Sequence, residues 1–132
     1  MRSMSYFRMT WSVLLHEAFD PEFEALPEPV RDEIFASLPL LKTYGPQLGR
    51  PWADTLKGSR HPNMKELRFK ADDGVWRVAY AFDPKRQAVL LVAADKSGGS
   101  EKRFYKQLID KADRRFTQHL KDLEGKDDGK NA

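Results

Sequence analysis

The stretch MKELRFKADDGVWRVAYAFDPKRQAVLLVAAD, residues 64–95, decides the fold of this chain. It contains three apolar runs of strand length, in which large apolar side chains alternate with other residues or fill the run. Asp73-Gly74 and Asp83-Pro84 separate the runs, and both pairs favour tight turns. The stretch therefore predicts a three-stranded antiparallel meander, with strands at 64–69, 74–82 and 87–95.

The residues before the meander predict one further strand and two helices. TWSVLL, residues 10–15, has the alternation that is typical of a strand. Asp20-Pro21 favours a helix start, because aspartate caps exposed amides and proline already has a helical φ. A second helix is predicted from Pro29, and Pro39 within it predicts a kink or break.

The segments on either side of the meander complete the predicted domain. Residues 45–63 are rich in Gly and Pro and predict a long, extended loop. Ser100 is a candidate N-cap for a last helix whose apolar stripe extends to Leu123, and the tail 124–132 is predicted to be disordered. The whole pattern predicts an α+β fold: a small antiparallel sheet with two N-terminal helices and one C-terminal helix.

Composition limits the classes to which the chain can belong. Its 132 residues suit one domain, and the absence of cysteine excludes disulfides and cysteine zinc sites. The longest apolar run, AVLLVAA at 88–94, is too short to span a membrane, and the first residues lack a signal-peptide pattern. We therefore expect a cytoplasmic protein without membrane contact.

Charge is distributed unevenly along the chain. The net charge is only +3, but residues 42–86 carry ten Lys or Arg against five Asp or Glu. Residues 95–121 carry eight against four, whereas residues 1–41 are net acidic. Two basic segments around an apolar strand favour a surface for nucleic acid or another polyanion, although ordinary solvated faces give the same counts.

Alternation along the strands sorts the side chains into two faces. The large apolar residues of the second meander strand share one face, which must be the core face. Arg77 falls on the other face with Ala79 and Ala81. Arg68 and Glu66 share that face from the neighbouring strand. We therefore expect an open, shallow, positively charged depression there.

Lys96 and the basic start of the last helix would close the rim of this depression, where a helix N-terminus also favours phosphate. On this interpretation the cations gather because a polyanion lies across the open face. The alternative is that Arg68 forms an ordinary ion pair with Glu66 or another acidic neighbour. The spacing of the residues leaves both interpretations open.

Several motifs together resemble one known family. LGRPWADTLKGSRHPNMKELRF (48–69), GVWRVAYAFDP (74–84) and DKSGGSEKRFY (95–105) are similar to the HigB-type, phage-derived subfamily of the RelE/ParE superfamily of type II toxin-antitoxin toxins. The resemblance covers residues 9–123, a single RelE/HigB-like domain that follows an N-terminal extension at 1–8. It implies a RelE-like fold, in agreement with the predicted elements.

The resemblance implies a ribosome-dependent endoribonuclease that cuts mRNA without a metal or cofactor. The ribose 2′-OH attacks the adjacent phosphate, so the protein must accept a proton, stabilise negative charge and return a proton. The resemblance carries over Arg77, Arg68, Lys96 and Tyr105 as candidate catalytic residues. Glu66, where the chain departs from RelE, and His61, the histidine near the groove, are candidates from their own chemistry. The candidate RNA-binding cations are Lys57, Arg60, Lys65, Lys102, Arg103 and Lys106.

The implied roles differ from residue to residue. Arg77 matches a strand arginine that clamps phosphate, and Tyr105 is near the C-terminal tyrosine of RelE. Glu66 stands where RelE carries a lysine, and it could act as general base or simply hold Arg68. His61 could transfer a proton, or it could be an ordinary loop histidine.

The family also implies partners for the chain. These are a helix-turn-helix (HigA-like) antitoxin, the ribosome and mRNA, and the free toxin is expected to be monomeric. Two alternatives stay open: a ParE-like inhibitor of DNA gyrase, and a non-catalytic, phage-derived binding protein with the same fold.

Overall fold

The computed structural model describes the backbone of residues 11–131 and the side chains of residues 11–126. The predicted N-terminal extension, 1–8, lies outside the described residues. The elements confirm the predicted α+β class. In chain order they are β1 (Ser12–Leu15), α1 (Phe19–Glu24), α2 (Glu28–Tyr44), a 3-10 turn (Gly45–Gln47), β2 (Ala53–Thr55), β3 (Met64–Ala71), β4 (Gly74–Phe82), β5 (Gln87–Asp95) and α3 (Glu101–Asn131).

The strands form one sheet in the order β1-β5-β4-β3-β2. β3, β4 and β5 make the predicted antiparallel meander. β1 pairs with β5 in parallel, with Ser12 opposite Gln87, so the sheet is mixed rather than wholly antiparallel. A tight hairpin turn imposes antiparallel pairing on the strands that it joins. β1 and β5 are instead separated by most of the chain, and alternation within β1 does not indicate whether it pairs parallel or antiparallel.

The segment predicted as a long loop, 45–63, contains the fifth strand, β2. It pairs antiparallel with β3, with Ala53 opposite Leu67. Three residues are too few for a periodic signal, which is why the sequence did not reveal this strand. The backbone of Trp52, just before β2, accepts a hydrogen bond from the Arg68 amide at 2.9 Å.

Helices cover both faces of the sheet. α1 and α2 pack through Phe19 and Ile34 on the face that carries the large apolar residues of β4. α3 packs through Leu108 and Ala112 on the opposite face. The predicted face assignment is therefore confirmed, but the expectation of an open second face is wrong, because the apolar stripe of α3 is buried there.

α2 is continuous through Pro39, where the sequence predicted a kink or break. A proline inside a helix costs about 3 kcal/mol or more. Ile34 and Leu41 are almost completely buried on the sheet, and burial of such a side chain contributes about 1.5–3 kcal/mol. Packing of this face therefore offsets the missing amide donor. α1 begins at Phe19, so Asp20, which the sequence predicted as the cap, is the second residue of this helix.

α3 begins as predicted, because Ser100 Oγ accepts a hydrogen bond from the Arg103 amide at 3.2 Å. The backbone is helical to Asn131, within the segment 124–132 for which the sequence predicted disorder. Extending an established helix is far less costly than starting one, so polar residues can continue it. No helix within residues 11–131 is both long and apolar enough to cross a membrane.

Arg115 joins α3 to α1 and to the sheet. Its guanidinium donates two hydrogen bonds to the Glu22 carboxylate, at 2.8 and 2.6 Å, and one to the Leu91 carbonyl at 2.7 Å. The hydrogen bonds from Arg115 hold the pKa of Glu22 below its usual value. This contact ties α3 to α1 and to β5.

His16 lies buried in the connection between β1 and α1. Its Nδ1 accepts a hydrogen bond from the Ala18 amide at 3.0 Å. Burial, followed by the nearby charge of Arg115, lowers the pKa of His16. Between this lowered pKa and about 6.5, the unfolded chain binds a proton that the folded chain does not bind, so acid favours unfolding.

We expect the free energy of unfolding to fall when the pH is lowered from about 7.5 to about 5.5, because His16 then takes up more protons in the unfolded chain than in the folded chain. His16→Asn retains an acceptor for the Ala18 amide but cannot titrate, so it should lose less stability over the same interval. Urea unfolding at the two pH values measures both. An equal loss in the two proteins would show that His16 is not the group responsible.

Candidate functional site

β3 and β4 bring three of the predicted site residues together. Glu66, Arg68 and Arg77 lie on the sheet face that α3 covers, and Arg68 stands directly opposite Arg77. Like charges directly opposite each other destabilise a pair of strands. A negative group is therefore needed between the two guanidinium groups, and Glu66 supplies it.

The Glu66 carboxylate is the centre of this arrangement. Its Oε2 accepts a hydrogen bond from Arg68 Nη1 at 2.7 Å, and its Oε1 accepts one from the Tyr105 hydroxyl at 2.9 Å. Arg77 Nε lies 3.7 Å from Oε1. We call Glu66, Arg68, Arg77 and Tyr105 the Glu66 cluster. The ion pair with Arg68 is the one that the sequence left as an alternative.

Tyr105 is the contribution of α3 to the cluster. Its hydroxyl accepts a hydrogen bond from Arg77 Nε at 3.2 Å while it donates to Glu66. Arg77 Nη1 also donates to the Trp76 carbonyl at 3.0 Å, which holds the plane of the guanidinium. Leu108, one helical turn after Tyr105, is buried against the sheet, so the packing of α3 fixes the position of the phenol.

The Glu66 cluster is largely buried rather than open. The exposed fraction of the side chain is 5% for Glu66, 7% for Arg77 and 20% for Arg68. Ala79 and Ala81, predicted as the floor of an open depression, are fully buried in the core that α3 forms with the sheet. Their small side chains let the helix approach closely. The cluster therefore reaches the surface through Arg68 and Tyr105, which are both partly exposed.

Lys96 follows β5 and forms a second ion pair near the cluster. Its Nζ lies 2.5 Å from Oε1 of Glu101, the first residue of α3. The contact with Lys96 holds the pKa of Glu101 below its usual value, and the charges of Arg77 and Arg68 act in the same direction. Lys96 and Glu101 therefore lie within electrostatic reach of the cluster.

Asp95 shapes the turn that carries Lys96. Its Oδ1 accepts hydrogen bonds from the Ser97 hydroxyl at 2.6 Å, the Ser97 amide at 2.9 Å and the Val75 amide at 3.0 Å. The Ser97 hydroxyl, ahead of the two amides, lowers the pKa of this carboxyl. Gly98 and Gly99 follow with φ of +79° and +67°, a region that favours glycine.

The candidate RNA-binding cations are placed mainly on the surface. Lys65 is half-buried and its Nζ donates to the Pro46 carbonyl at 3.1 Å. Arg60 lies 3.8 Å from Asp113, and Lys106 lies 3.2 Å from Asp110. Their role in RNA binding stays a prediction. The exposed members are Lys57, Arg60, Lys102, Arg103 and Lys106.

His61 does not join the Glu66 cluster. Its Nε2 lies 2.9 Å from Thr117 Oγ1, and its ring packs edge-on against Phe116 with 4.9 Å between ring centroids. Thr117 follows Tyr105 by twelve residues on α3, about 18 Å along the helix axis. The expectation that His61 lies by the same groove is therefore corrected. Asp113 holds its loop by accepting a hydrogen bond from the Ser59 hydroxyl at 2.5 Å.

Tyr80 belongs to the core, as its position on the strand predicted. It is fully buried, and its hydroxyl has no hydrogen-bond partner among the side chains that the structure describes. Burial, and then the negative charge of Glu66, raises the pKa of Tyr80. Its phenol therefore stays protonated and cannot accept a proton near neutral pH.

The sequence did not predict Glu101 as part of the site. A usable signal was present, because Glu101 directly follows the N-cap Ser100, where acidic residues are favoured, and lies close to Lys96 in sequence. The pairing of Asp83 with His119, 2.7 Å between Oδ2 and Nε2, was also not predicted. These two residues are far apart in sequence, and no local pattern connects them.

The Glu66 cluster can bind an anion and move a proton. Guanidinium groups recognise carboxylate and phosphate oxygens with the same geometry. The Tyr105 hydroxyl is a proton donor that already contacts a carboxylate. Within the described part of the chain, no group of three or more His, Cys, Asp or Glu side chains could hold a metal ion.

Comparison with known families assigns the chain to one of them. Residues 21–117 match the family described as "Phage derived protein Gp49-like". The chain belongs to this family. The resemblance to HigB-type, phage-derived toxins that the motifs indicated is thereby confirmed.

Two similar proteins come from Mycobacterium tuberculosis. The chain is 44% identical over 92 residues to "Putative toxin HigB2", a match that covers 69% of this chain and 45% of that protein. It is 39% identical over 109 residues to "Putative toxin HigB3", which covers 83% of this chain and 93% of that protein. The match therefore spans about half of the first relative and nearly all of the second. No solved structure matches the chain.

Proposed function

We propose that this protein is the toxin of a type II toxin-antitoxin system and acts as a ribosome-dependent mRNA endonuclease. The observation that carries the proposal is the Glu66 cluster, in which two arginines and a tyrosine surround one carboxylate. Removing a charged group from water costs several kcal/mol, and pairing with an opposite charge often only offsets this cost. Stabilisation of the fold is therefore a weak explanation for the burial of such a cluster. Membership of a family with relatives named as HigB toxins supports the same function.

The proposed reaction is attack by a ribose 2′-OH on the adjacent phosphate, which breaks the bond to the 5′-oxygen of the next nucleotide. Arg77 and Arg68 bind the phosphate and stabilise the negative charge that develops on it. Tyr105 accepts the 2′-OH proton while it passes its own proton to Glu66, and the same pair returns a proton to the leaving oxygen. Lys96 adds positive charge, and no step requires a metal or cofactor.

The proposal includes the partners that such a toxin needs. The ribosome presents the mRNA, and exposed cations around α3, such as Lys102 and Arg103, contact the RNA backbone through salt-sensitive interactions. A helix-turn-helix, HigA-like antitoxin holds the toxin inactive. The reaction takes place in the cytoplasm, where the ribosomes translate.

A reconstituted translation system tests the proposal. Purified protein is added to a defined mRNA with and without ribosomes, and the cut positions are mapped by primer extension. We expect new mRNA ends in the reading frame only when ribosomes are present, because the ribosome positions the substrate. Intact mRNA in the presence of ribosomes would contradict the proposal.

A DNA supercoiling assay with the same preparation separates the alternatives. Inhibition of gyrase together with intact mRNA would identify a ParE-like inhibitor. Intact mRNA and active gyrase together would leave a non-catalytic binding protein.

A further inference from the structure

The Glu66 carboxylate contacts the side chains to which the proposed function gives the phosphate and the proton transfer. Arg68 Nη1 and the Tyr105 hydroxyl both donate to it, and Arg77 Nε is 3.7 Å away. The two arginines are the donors that the proposed function assigns to the phosphate. A phosphate that takes the arginine N–H groups now directed at Glu66 must displace the carboxylate from them.

We propose that Glu66 is a built-in competitor for phosphodiester, and that RNA binds by displacing its carboxylate from Arg68 and Arg77. The inference rests on the proposed function for the identity of the anion, a phosphodiester group of single-stranded RNA. It concerns binding alone, so it holds or fails independently of cleavage.

The contacts of Arg77 are the first argument for displacement. At 3.7 Å its Nε is too far from Glu66 for a hydrogen bond, and it donates instead to the neutral Tyr105 hydroxyl. Its charge is therefore only partly compensated by Glu66. A phosphodiester has two charged non-bridging oxygens, one for each guanidinium group, whereas Glu66 forms a hydrogen bond with only one of the two arginines, Arg68.

Access to the site is the second argument. Arg68 has 20% of its side chain exposed and Lys96 has 22%, whereas Glu66 and Arg77 are almost fully buried. A phosphate that enters beside Arg68 meets the Glu66 carboxylate directly. The carboxylate is hence the group that the phosphate must replace, and Arg68 is the donor that exchanges first.

The test is the affinity for an RNA that cannot be cut. A fluorescent 2′-O-methyl oligoribonucleotide has no free 2′-OH, and its binding is followed by fluorescence anisotropy. Glu66→Gln keeps the shape of the side chain and removes its charge. We expect this variant to bind the oligonucleotide about tenfold more tightly than the wild type, the effect of losing one charged competitor.

Glu33→Gln is the matched control for charge. It also removes one carboxylate, but Glu33 is exposed on α2, which packs on the face of the sheet opposite to the Glu66 cluster. We expect its affinity to change much less. An equal gain in the two variants would show that net charge alone acts, and it would overturn the proposal. Unchanged or weaker binding by Glu66→Gln would overturn it as well.

Glu66→Asp tests displacement at constant net charge. It withdraws the carboxylate by roughly 1.5 Å, the length of one carbon-carbon bond, from Arg68 and Tyr105. Tighter binding than wild type supports competition for position. Weaker or equal binding shows that Glu66 only orients the arginines. Thermal unfolding confirms that each variant is folded, and if neither Glu66 variant folds, Glu66 is a structural residue and the proposal is overturned.

The outcomes for binding and for cleavage are separable. Tighter binding by Glu66→Gln with no mRNA cleavage by the wild type would leave the phosphate site established and the nuclease function refuted. Cleavage by the wild type without tighter binding by the variant would do the reverse. The same variant should also cut mRNA more slowly, because it removes the proposed acceptor of the Tyr105 proton.

Discussion

Replacement of Arg77 with alanine is expected to lower the rate of ribosome-dependent mRNA cleavage by about 100-fold or more, the usual effect of removing one donor that stabilises developing charge. Arg77 contacts the Tyr105 hydroxyl and lies close to the Glu66 carboxylate, so the change removes a phosphate ligand and a partner of the proton-transfer pair together. Primer extension in the reconstituted translation system measures the effect. Growth arrest on induced expression should be lost in parallel.

Arg77→Lys is the control that separates charge from geometry. Lysine keeps the positive charge but cannot contact Tyr105 and a phosphate at once with a planar fork of donors. We expect it to be less impaired than alanine but well below the wild type. Full activity of Arg77→Lys would mean that Arg77 acts only as a point charge.

The fold should survive the alanine change. Glu66 keeps its hydrogen bonds with Arg68 and Tyr105, and the truncated side chain resembles the small neighbours Ala79 and Ala81. Circular dichroism and thermal unfolding check this point. Wild-type cleavage by a folded Arg77→Ala protein would remove the Glu66 cluster from the proposed mechanism.

The meander was predictable because several local signals agree there. β4 and β5 begin and end where alternation and turn residues placed them, since each strand is long enough for a periodic pattern. The positive φ of Asp72 and Asp73 forms the first turn, one residue earlier than predicted. The direction of β1 and the presence of β2 depend on contacts distant in sequence, so no local pattern encodes them.

The site was predictable only in part, for the same reason. Alternation placed Glu66, Arg68 and Arg77 on one face, and the structure brings them together there. Alternation does not say what covers a face, so the burial of the cluster by α3 was not predicted. The path of α3 across the sheet brings Tyr105 to the cluster. The same path places His61 against a later turn of the helix, at Thr117.

The far half of α3 is held by the buried carboxylate of Asp83, whose side chain is fully buried. Its Oδ1 accepts hydrogen bonds from the amides of Lys85 and Gln87 at 2.9 and 3.0 Å. Its Oδ2 accepts one from Gln87 Nε2 and lies 2.7 Å from His119 Nε2 on α3. One residue therefore closes the β4-β5 turn and anchors the helix that carries Tyr105.

Asp83→Ala is expected to lower the free energy of unfolding by about 3 kcal/mol, because several donors lose a buried acceptor at about 1–3 kcal/mol each when left unpaired. The midpoint of thermal unfolding should fall by roughly 10 °C for a domain of this size. Asp83→Asn keeps an acceptor for the two backbone amides, so it should lose much less stability.

The double variant that combines Asp83→Ala with His119→Ala measures the interaction between the two side chains. We expect a coupling free energy of about 1 kcal/mol between them. Additive effects would instead mean that Asp83 acts through the turn alone, and that packing and Arg115 suffice to hold α3 over the site.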